Sequence, residues 1–185
     1  MSNKPPIEVP QGAIRLNTDS QRLEFFAQDR WYEMATDVPT LDGGVRGCFG
    51  GGYQPSPQKD VIDFVTISTA GNATDFGNLS VARGSFDAAS SKTRGFWFGG
   101  EHPAKDEIDF ITFSSTGNAT DFGHLTVARF GATGGSNETR AVMAGGNYPK
   151  TNVIDYITMS SAGNAKDFGD LKSGFRRSNA GNSPT

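Results

Sequence analysis

One pattern recurs three times along most of the chain, and it constrains the fold more than any other sequence feature. An Ile-Asp-Phe-Val-Thr block and a Gly-Asn-Ala-Thr-Asp-Phe-Gly block each return with only conservative changes or a single change. The first block occupies residues 62–66, 108–112 and 154–158, and the second occupies 71–77, 117–123 and 163–169. The period is therefore 46 residues, a length typical of propellers and other repeat architectures.

Each repeat predicts four short β-strands and no helix. The first strand is small and polar, the second is an apolar run ending in glycines, and the fourth follows the Gly-Asn turn. The third strand is β-branched and apolar on both faces, which indicates a sheet packed between neighbouring sheets. The predicted first strands lie near residues 84–90, 130–136 and 176–182, and the fourth strands cover 75–81, 121–127 and 167–172.

Four short strands in about 46 residues form the blade pattern of a β-propeller. The doubled glycine that ends the second strand resembles kelch repeats, although the tyrosine and tryptophan that normally follow it are missing. We therefore predict an all-β fold of three tandem four-stranded kelch-like blades, either propeller-like or an open β-array, preceded by a small N-terminal β-hairpin module. The predicted divisions are a flexible tail at 1–10, the hairpin assembly module at 11–40, and a repeat region at 41–185 with repeats at 46–93, 94–139 and 140–185.

The N-terminal module does not share the repeat pattern. Residues 12–20 and 23–26 predict two strands around an Asn-Thr-Asp-Ser turn, and Trp31 anchors a third short strand. Because so small a sheet is marginal alone, we expect it to need a partner surface or oligomerisation.

The two ends of the repeat array predict association between chains. The first-strand segment at 176–182 has no second strand after it, and the Arg46 block has no matching first strand before it. Since unpaired edges invite association, we expect a homo-oligomer through strand exchange. A dimer with six blades and a three-fold assembly both satisfy this expectation.

Composition argues against several partner classes. The net charge of −3 provides no basic field for nucleic acid. No segment has the apolar length of a signal peptide or a membrane span, which predicts a protein made in the cytoplasm without membrane insertion. Cys48 is the only cysteine and lies in an apolar strand, so we expect a small core residue, and Trp97 on the equivalent strand is also expected in the core.

The repeated charged residues are predicted to be structural. We expect each third-strand aspartate to pair with the arginine that begins the second strand, and each turn aspartate to accept local backbone hydrogen bonds. These positions are Arg46, Arg94 and Arg140, then Asp63, Asp109 and Asp155, and in the turns Asp75, Asp121 and Asp167. No catalytic triad, phosphate loop or metal-ligand cluster is visible, so we predict no enzyme activity, catalytic residue, metal or cofactor.

Three residues in the variable loops are candidates for recognition. Tyr53, His102 and Tyr148 lie near glycine and proline, and exposed rings of this kind stack on sugars or peptide groups. The alternative interpretation is that they cap the ends of the blades.

The chain also resembles a known group of proteins. Its Gly-Ala-Ile-Arg-Leu-Asn-Thr-Asp, Leu-Glu-Phe and Trp segments look like a module of bacteriophage tail fibres, and the repeats resemble arrays in cyanophage-like virion proteins. The resemblance implies a non-enzymatic virion protein made in the host cytoplasm: a fibre, a neck or tail appendage, or a capsid decoration. Its implied partners are other virion proteins. A further hypothesis, which overlaps with this one and depends on the loop aromatics, is binding to a host surface glycan. The alternative is a kelch-like protein-interaction adaptor of cellular origin.

Overall fold

A computed structural model describes residues 9–18, 22–34, 46–53, 57–101 and 103–175. These residues fall into two compact units, one within residues 1–40 and the other within 41–185. Every regular element in the described residues is a β-strand, which confirms the predicted all-β class.

The N-terminal unit is a three-stranded antiparallel meander. Its strands are β1 (Ile14–Asn17), β2 (Arg22–Ala27) and β3 (Arg30–Glu33), as the sequence predicted. The β2–β3 turn is formed by Gln28 and Asp29, which both have positive φ, as the tight turns of β-hairpins require. The rings of Phe26 and Trp31 meet edge to face across this hairpin, with centroids 5.3 Å apart.

The second unit contains three antiparallel sheets, which we call repeat sheets 1, 2 and 3. Sheet 1 has three strands, and sheets 2 and 3 have four each, paired in sequence order. Sheet 1 consists of β4 (Arg46–Gly52), β5 (Lys59–Thr66) and β6 (Thr74–Asn78). Sheet 2 consists of β7 (Asp87–Ser90), β8 (Arg94–Gly100), β9 (Lys105–Thr112) and β10 (Thr120–His124). Sheet 3 consists of β11 (Thr133–Ser136), β12 (Arg140–Ala144), β13 (Val153–Thr158) and β14 (Lys166–Asp170).

The four predicted strands per repeat are present in sheets 2 and 3. In each of these two sheets the small first strand lies before the arginine at which the predicted repeat begins. The sheet therefore starts a few residues before the predicted repeat boundary. The third predicted first strand, at 176–182, lies outside the described residues.

Successive repeat sheets enclose two apolar cores. One contains Ile62 of sheet 1 with Trp97 and Ile111 of sheet 2, and the other contains residues of sheets 2 and 3, including Ile108. Ile108 and Ile111 lie on opposite faces of β9, which confirms that this third strand is apolar on both sides. Trp97 is a core residue, as predicted, and Cys48 is partly buried against the first cluster.

The two sheet-to-sheet contacts repeat the same hydrogen bonds. The N–H of Gly117 donates to the carbonyl of Phe76 at 2.7 Å, and Gly163 donates to Phe122 at 2.8 Å. The amides of Ala119 and Ala165 donate in the same way, each at 2.8 Å, to Asn78 and His124. Sheets 1 and 2 are therefore joined by the same backbone hydrogen bonds that join sheets 2 and 3.

Candidate assembly site

A buried ion pair accompanies each contact between successive sheets. Arg83, between β6 and β7, pairs with Asp109 on β9, and Arg129 pairs with Asp155 on β13, both at 3.0 Å. All four side chains are fully buried. Burial lowers the pKa of the Arg129 guanidinium below its usual value, and the Asp155 carboxylate opposes that shift by stabilising the charged form.

This arrangement corrects the predicted pairing of the repeated aspartates. The second-strand arginines instead stack on a ring of the third strand: Arg46 on Phe64, Arg94 on Phe110 and Arg140 on Tyr156, at 4.9, 5.0 and 5.1 Å. Because the strands are antiparallel, an arginine at the start of the second strand reaches the far end of the third strand, beyond the aspartate.

Two of the stacked arginines also join neighbouring sheets. Arg46 donates to the carbonyl of Phe113, just after β9 of sheet 2, and Arg94 donates to the carbonyl of Met159, just after β13 of sheet 3, at 2.9 Å. The predicted structural role of these arginines therefore lies between sheets as well as within them.

Arg83 and Arg129 were missed by the sequence analysis, although a signal for them exists. Both end a Val-Ala-Arg triplet, and the two triplets are one 46-residue period apart. The equivalent position in the next repeat is Phe175, whose carbonyl accepts from Gly146 as the carbonyl of Arg129 accepts from Gly100. Among the described residues no arginine pairs with Asp63, the equivalent of Asp109 in sheet 1.

The turn aspartates hold the backbone at the start of the fourth strands. The carboxylates of Asp121 and Asp167 accept hydrogen bonds from the N–H groups of Gly123 and Gly169, each at 3.0 Å. Asp75 occupies the same position in sheet 1 and pairs in register with Asp63 across β5 and β6.

The loop candidates are distributed among three repeats. Tyr53 follows β4 and Tyr148 follows β12, and both rings are largely exposed. Tyr148 stacks on Phe130, with ring centroids 5.7 Å apart. His102 lies outside the described residues.

Strand β4 forms one edge of sheet 1 in the described residues, and a groove of about 240 Å³ runs beside it. Gly47 and Cys48 of β4 form one side of the groove, and residues 88–90 of β7 form the other. In sheets 2 and 3 the corresponding edges of β8 and β12 are covered by β7 and β11. Strands β7 and β11 also contact each other, and Ser136 donates to the Ser90 carbonyl at 2.8 Å.

Apolar residues are exposed at the two ends of the sheet series. Phe168 of sheet 3 is 55% exposed, whereas its equivalents Phe76 and Phe122 are 3% and 2% exposed. At the other end Phe49 and Ile67 of sheet 1 are 64% and 69% exposed. Trp97 and Met143, the equivalents of Phe49, are buried. Of the two equivalents of Ile67, Met159 is buried and Phe113 is partly buried. Within the described part of residues 41–185, the ends of the series thus carry core positions that no repeat sheet covers.

Within the part of the chain that the structure describes, no group of three or more histidine, cysteine or acidic side chains is placed to hold a metal ion. No helix among these residues is long and apolar enough to cross a membrane.

The all-β fold and its repeated sheets define the class of this chain, which is an all-β repeat protein. No protein-family model and no curated protein matches the chain in sequence comparisons.

Proposed function

We propose that the protein is a non-enzymatic structural component whose repeat region assembles with other copies of itself. The observation that carries this proposal is the pair of uncovered ends: core positions are exposed on sheet 1 and on sheet 3, while the equivalent positions between sheets are buried or, at Phe113, partly buried. Exposed apolar faces of this kind mark protein–protein interaction sites.

We further propose that the repeat sheets act as blades of a propeller-like arrangement. Contacts between the first strands β7 and β11 support it, because first strands of neighbouring blades line the centre of such a ring. Strand exchange would complete sheet 1, with residues 176–182 of another copy covering the β4 edge.

The N-terminal sheet fits the role of an assembly module. Ile14 pairs in register with Phe25, and Leu16 pairs with Leu23, so the four side chains share one face of β1 and β2. All four are exposed. A partner surface would bury this apolar face and stabilise a sheet that is marginal alone.

We place this component in a bacteriophage virion, as a fibre, a neck or tail appendage, or a capsid decoration. The motif resemblance described above supports that location, with other virion proteins as partners. The exposed rings of Tyr53 and Tyr148 are the candidates for contact with a host glycan.

Native mass spectrometry of the full chain tests the assembly, and mass spectrometry of purified particles tests the location. We expect a discrete or extended homo-oligomer and its presence in particles. A monomer at micromolar concentration that binds a cellular protein would contradict the proposal and favour the adaptor alternative.

A further inference from the structure

The contact between successive repeat sheets is built twice within the chain, and we infer that a second copy builds it a third time. Sheet 3 of one copy would pack on sheet 1 of another, in the arrangement that joins sheet 1 to sheet 2 and sheet 2 to sheet 3. This inference rests on the proposed assembly function and specifies its partner, a second copy of this chain, together with the residues in contact.

Backbone donors for this third contact are present in sheet 1. Gly71 and Ala73 are one period before Gly117 and Ala119, and among the described residues their amides have no acceptor. The matching acceptors in sheet 3 are the carbonyls of Phe168 and Asp170, which are one period after Phe122 and His124. A second copy therefore satisfies both amides with hydrogen bonds already seen at 2.7 and 2.8 Å inside the chain.

Side-chain groups complete the same pattern. Asn118 and Asn164 each accept a hydrogen bond from the preceding sheet, from the N–H groups of Asn78 and His124 at 3.1 Å. Asn72 is the equivalent asparagine in sheet 1, and the N–H of Asp170 in another copy is its matching donor. The repeated Gly-Asn motif is thereby assigned to contact between sheets.

The apolar residues at the two ends are complementary in the same register. In the chain, the ring of Trp97 lies about 3.0–3.2 Å from the position a side chain on Gly50 would occupy. Phe49 is equivalent to Trp97 and Ala144 is equivalent to Gly50, so Phe49 of one copy would pack on Ala144 of another. Phe168 would be covered in the same contact, as Phe76 and Phe122 are within the chain.

One arginine is also placed for this contact. Arg46 and Arg94 each donate to a carbonyl of the next sheet, just beyond its third strand. Arg140 is the third arginine in this register, and the matching carbonyl belongs to Ile67, at the exposed end of sheet 1. The donor and the acceptor lie on opposite ends of the sheet series, so a second copy would bring them together by this contact.

A side chain at Gly169 would block the contact between copies without meeting another atom of its own chain, although the positive φ of Gly169 adds backbone strain. A Cβ on its equivalents Gly77 and Gly123 would overlap the carbonyls of Gly117 and Gly163 in the next sheet. A Cβ on Gly169 meets nothing within 4 Å in the single chain. In the assembly the carbonyl of Gly71 from another copy would occupy that space.

The test is native mass spectrometry of the full chain carrying Gly169→Ala, with thermal unfolding as a second measurement. We expect this variant to be a monomer with a folded repeat region at concentrations where the wild type is an oligomer. The matched control is Gly163→Ala, because Gly163 also has a positive φ and open space around its Cβ position. It should remain oligomeric, whereas Gly123→Ala should lower the melting temperature of the fold itself.

Two outcomes separate this inference from the proposed function. An oligomeric wild type with an equally oligomeric Gly169→Ala variant would overturn the inferred interface and leave assembly standing. A single-copy wild type would overturn both. Loss of the oligomer in Gly163→Ala as well as in Gly169→Ala would show that backbone strain, rather than the interface, decides the result, and would also count against the inference.

Discussion

The guanidinium groups of Arg83 and Arg129 are fully buried between repeat sheets. An isolated charge in such a place costs several kcal/mol, so each arginine depends on its aspartate. Arg129 also donates to the Met143 carbonyl at 3.1 Å, and Asp155 accepts from the hydroxyl of Thr126 at 2.6 Å. Because these partners come from separate segments, the ion pair fixes the linker before β11 against sheet 3.

Asp155→Asn should expose this dependence. The change keeps the shape of the side chain and removes the charge opposite Arg129, so we expect the free energy of unfolding to fall by about 3–5 kcal/mol. Adding Arg129→Met to the same chain should recover most of that loss, since no buried charge remains. Urea unfolding measures both effects.

The matched control is Asp63→Asn, at the equivalent position of sheet 1, where no described arginine pairs with the carboxylate. Both substitutions are compared in the Gly169→Ala chain, which lacks the inferred contact between copies, and there Asp63→Asn should change the free energy of unfolding by less than about 1 kcal/mol. A comparable loss in Asp63→Asn and Asp155→Asn would contradict the role given to the Arg129–Asp155 pair.

At the scale of the strand, β4 is an edge among the described residues, whereas its equivalents are covered in the other two sheets. The covering strands have small central residues, Ala88 and Ala89 in β7 and Gly134 and Gly135 in β11. A side chain on Gly134 would come within 3.0 Å of the Ala88 carbonyl, which explains why only small residues fit. Ala180 and Gly181 occupy these positions in the next repeat.

The register of this exchange predicts a specific disulfide. Ala89 pairs with Phe96 and Gly135 pairs with Val142, so residue 181 should pair with Cys48. Directly paired strand residues have Cα separations within the range of a disulfide. Oxidation of Gly181→Cys should therefore link two chains covalently, as seen on a non-reducing gel. Because burial raises the pKa of the Cys48 thiol, mildly alkaline conditions and a catalytic oxidant are required.

Ala180→Cys and Asn182→Cys serve as controls, since neighbouring residues of a strand point to opposite faces. They should link poorly. Equal linking by all three variants, or a bond confined within one chain, would rule out the exchanged register.

The strands were predictable from sequence because the period, the β-branched residues and the glycine turns are local signals. The partner of Asp109 was not, because Arg83 is 26 residues away in a linker and meets the aspartate only when two sheets pack. Arg94 was predicted as the partner of Asp109 because it is nearer in sequence, but antiparallel pairing places Arg94 opposite Thr112. The Gly-Asn motif also takes part in contact between sheets. Such contact has no local signature in the sequence, so this role was not predicted.

For the whole molecule, a contact made by different faces of each copy is head-to-tail. Such contacts close into a ring when the rotation per copy divides a full turn, and otherwise extend into a filament. Both outcomes would bury the apolar ends of the sheet series, and both are compatible with the proposed structural role. Both outcomes require the same contact, and the central claim is that sheet 3 of one copy covers sheet 1 of the next.

Hydrogen exchange at the amides of Gly71 and Ala73 tests that claim most directly. In the assembled wild type we predict exchange as slow as at Gly117 and Ala119, whose amides are hydrogen-bonded between sheets within the chain. In Gly169→Ala the first two amides should exchange rapidly while the other two stay protected. Rapid exchange at Gly71 and Ala73 in the wild-type oligomer would contradict the account.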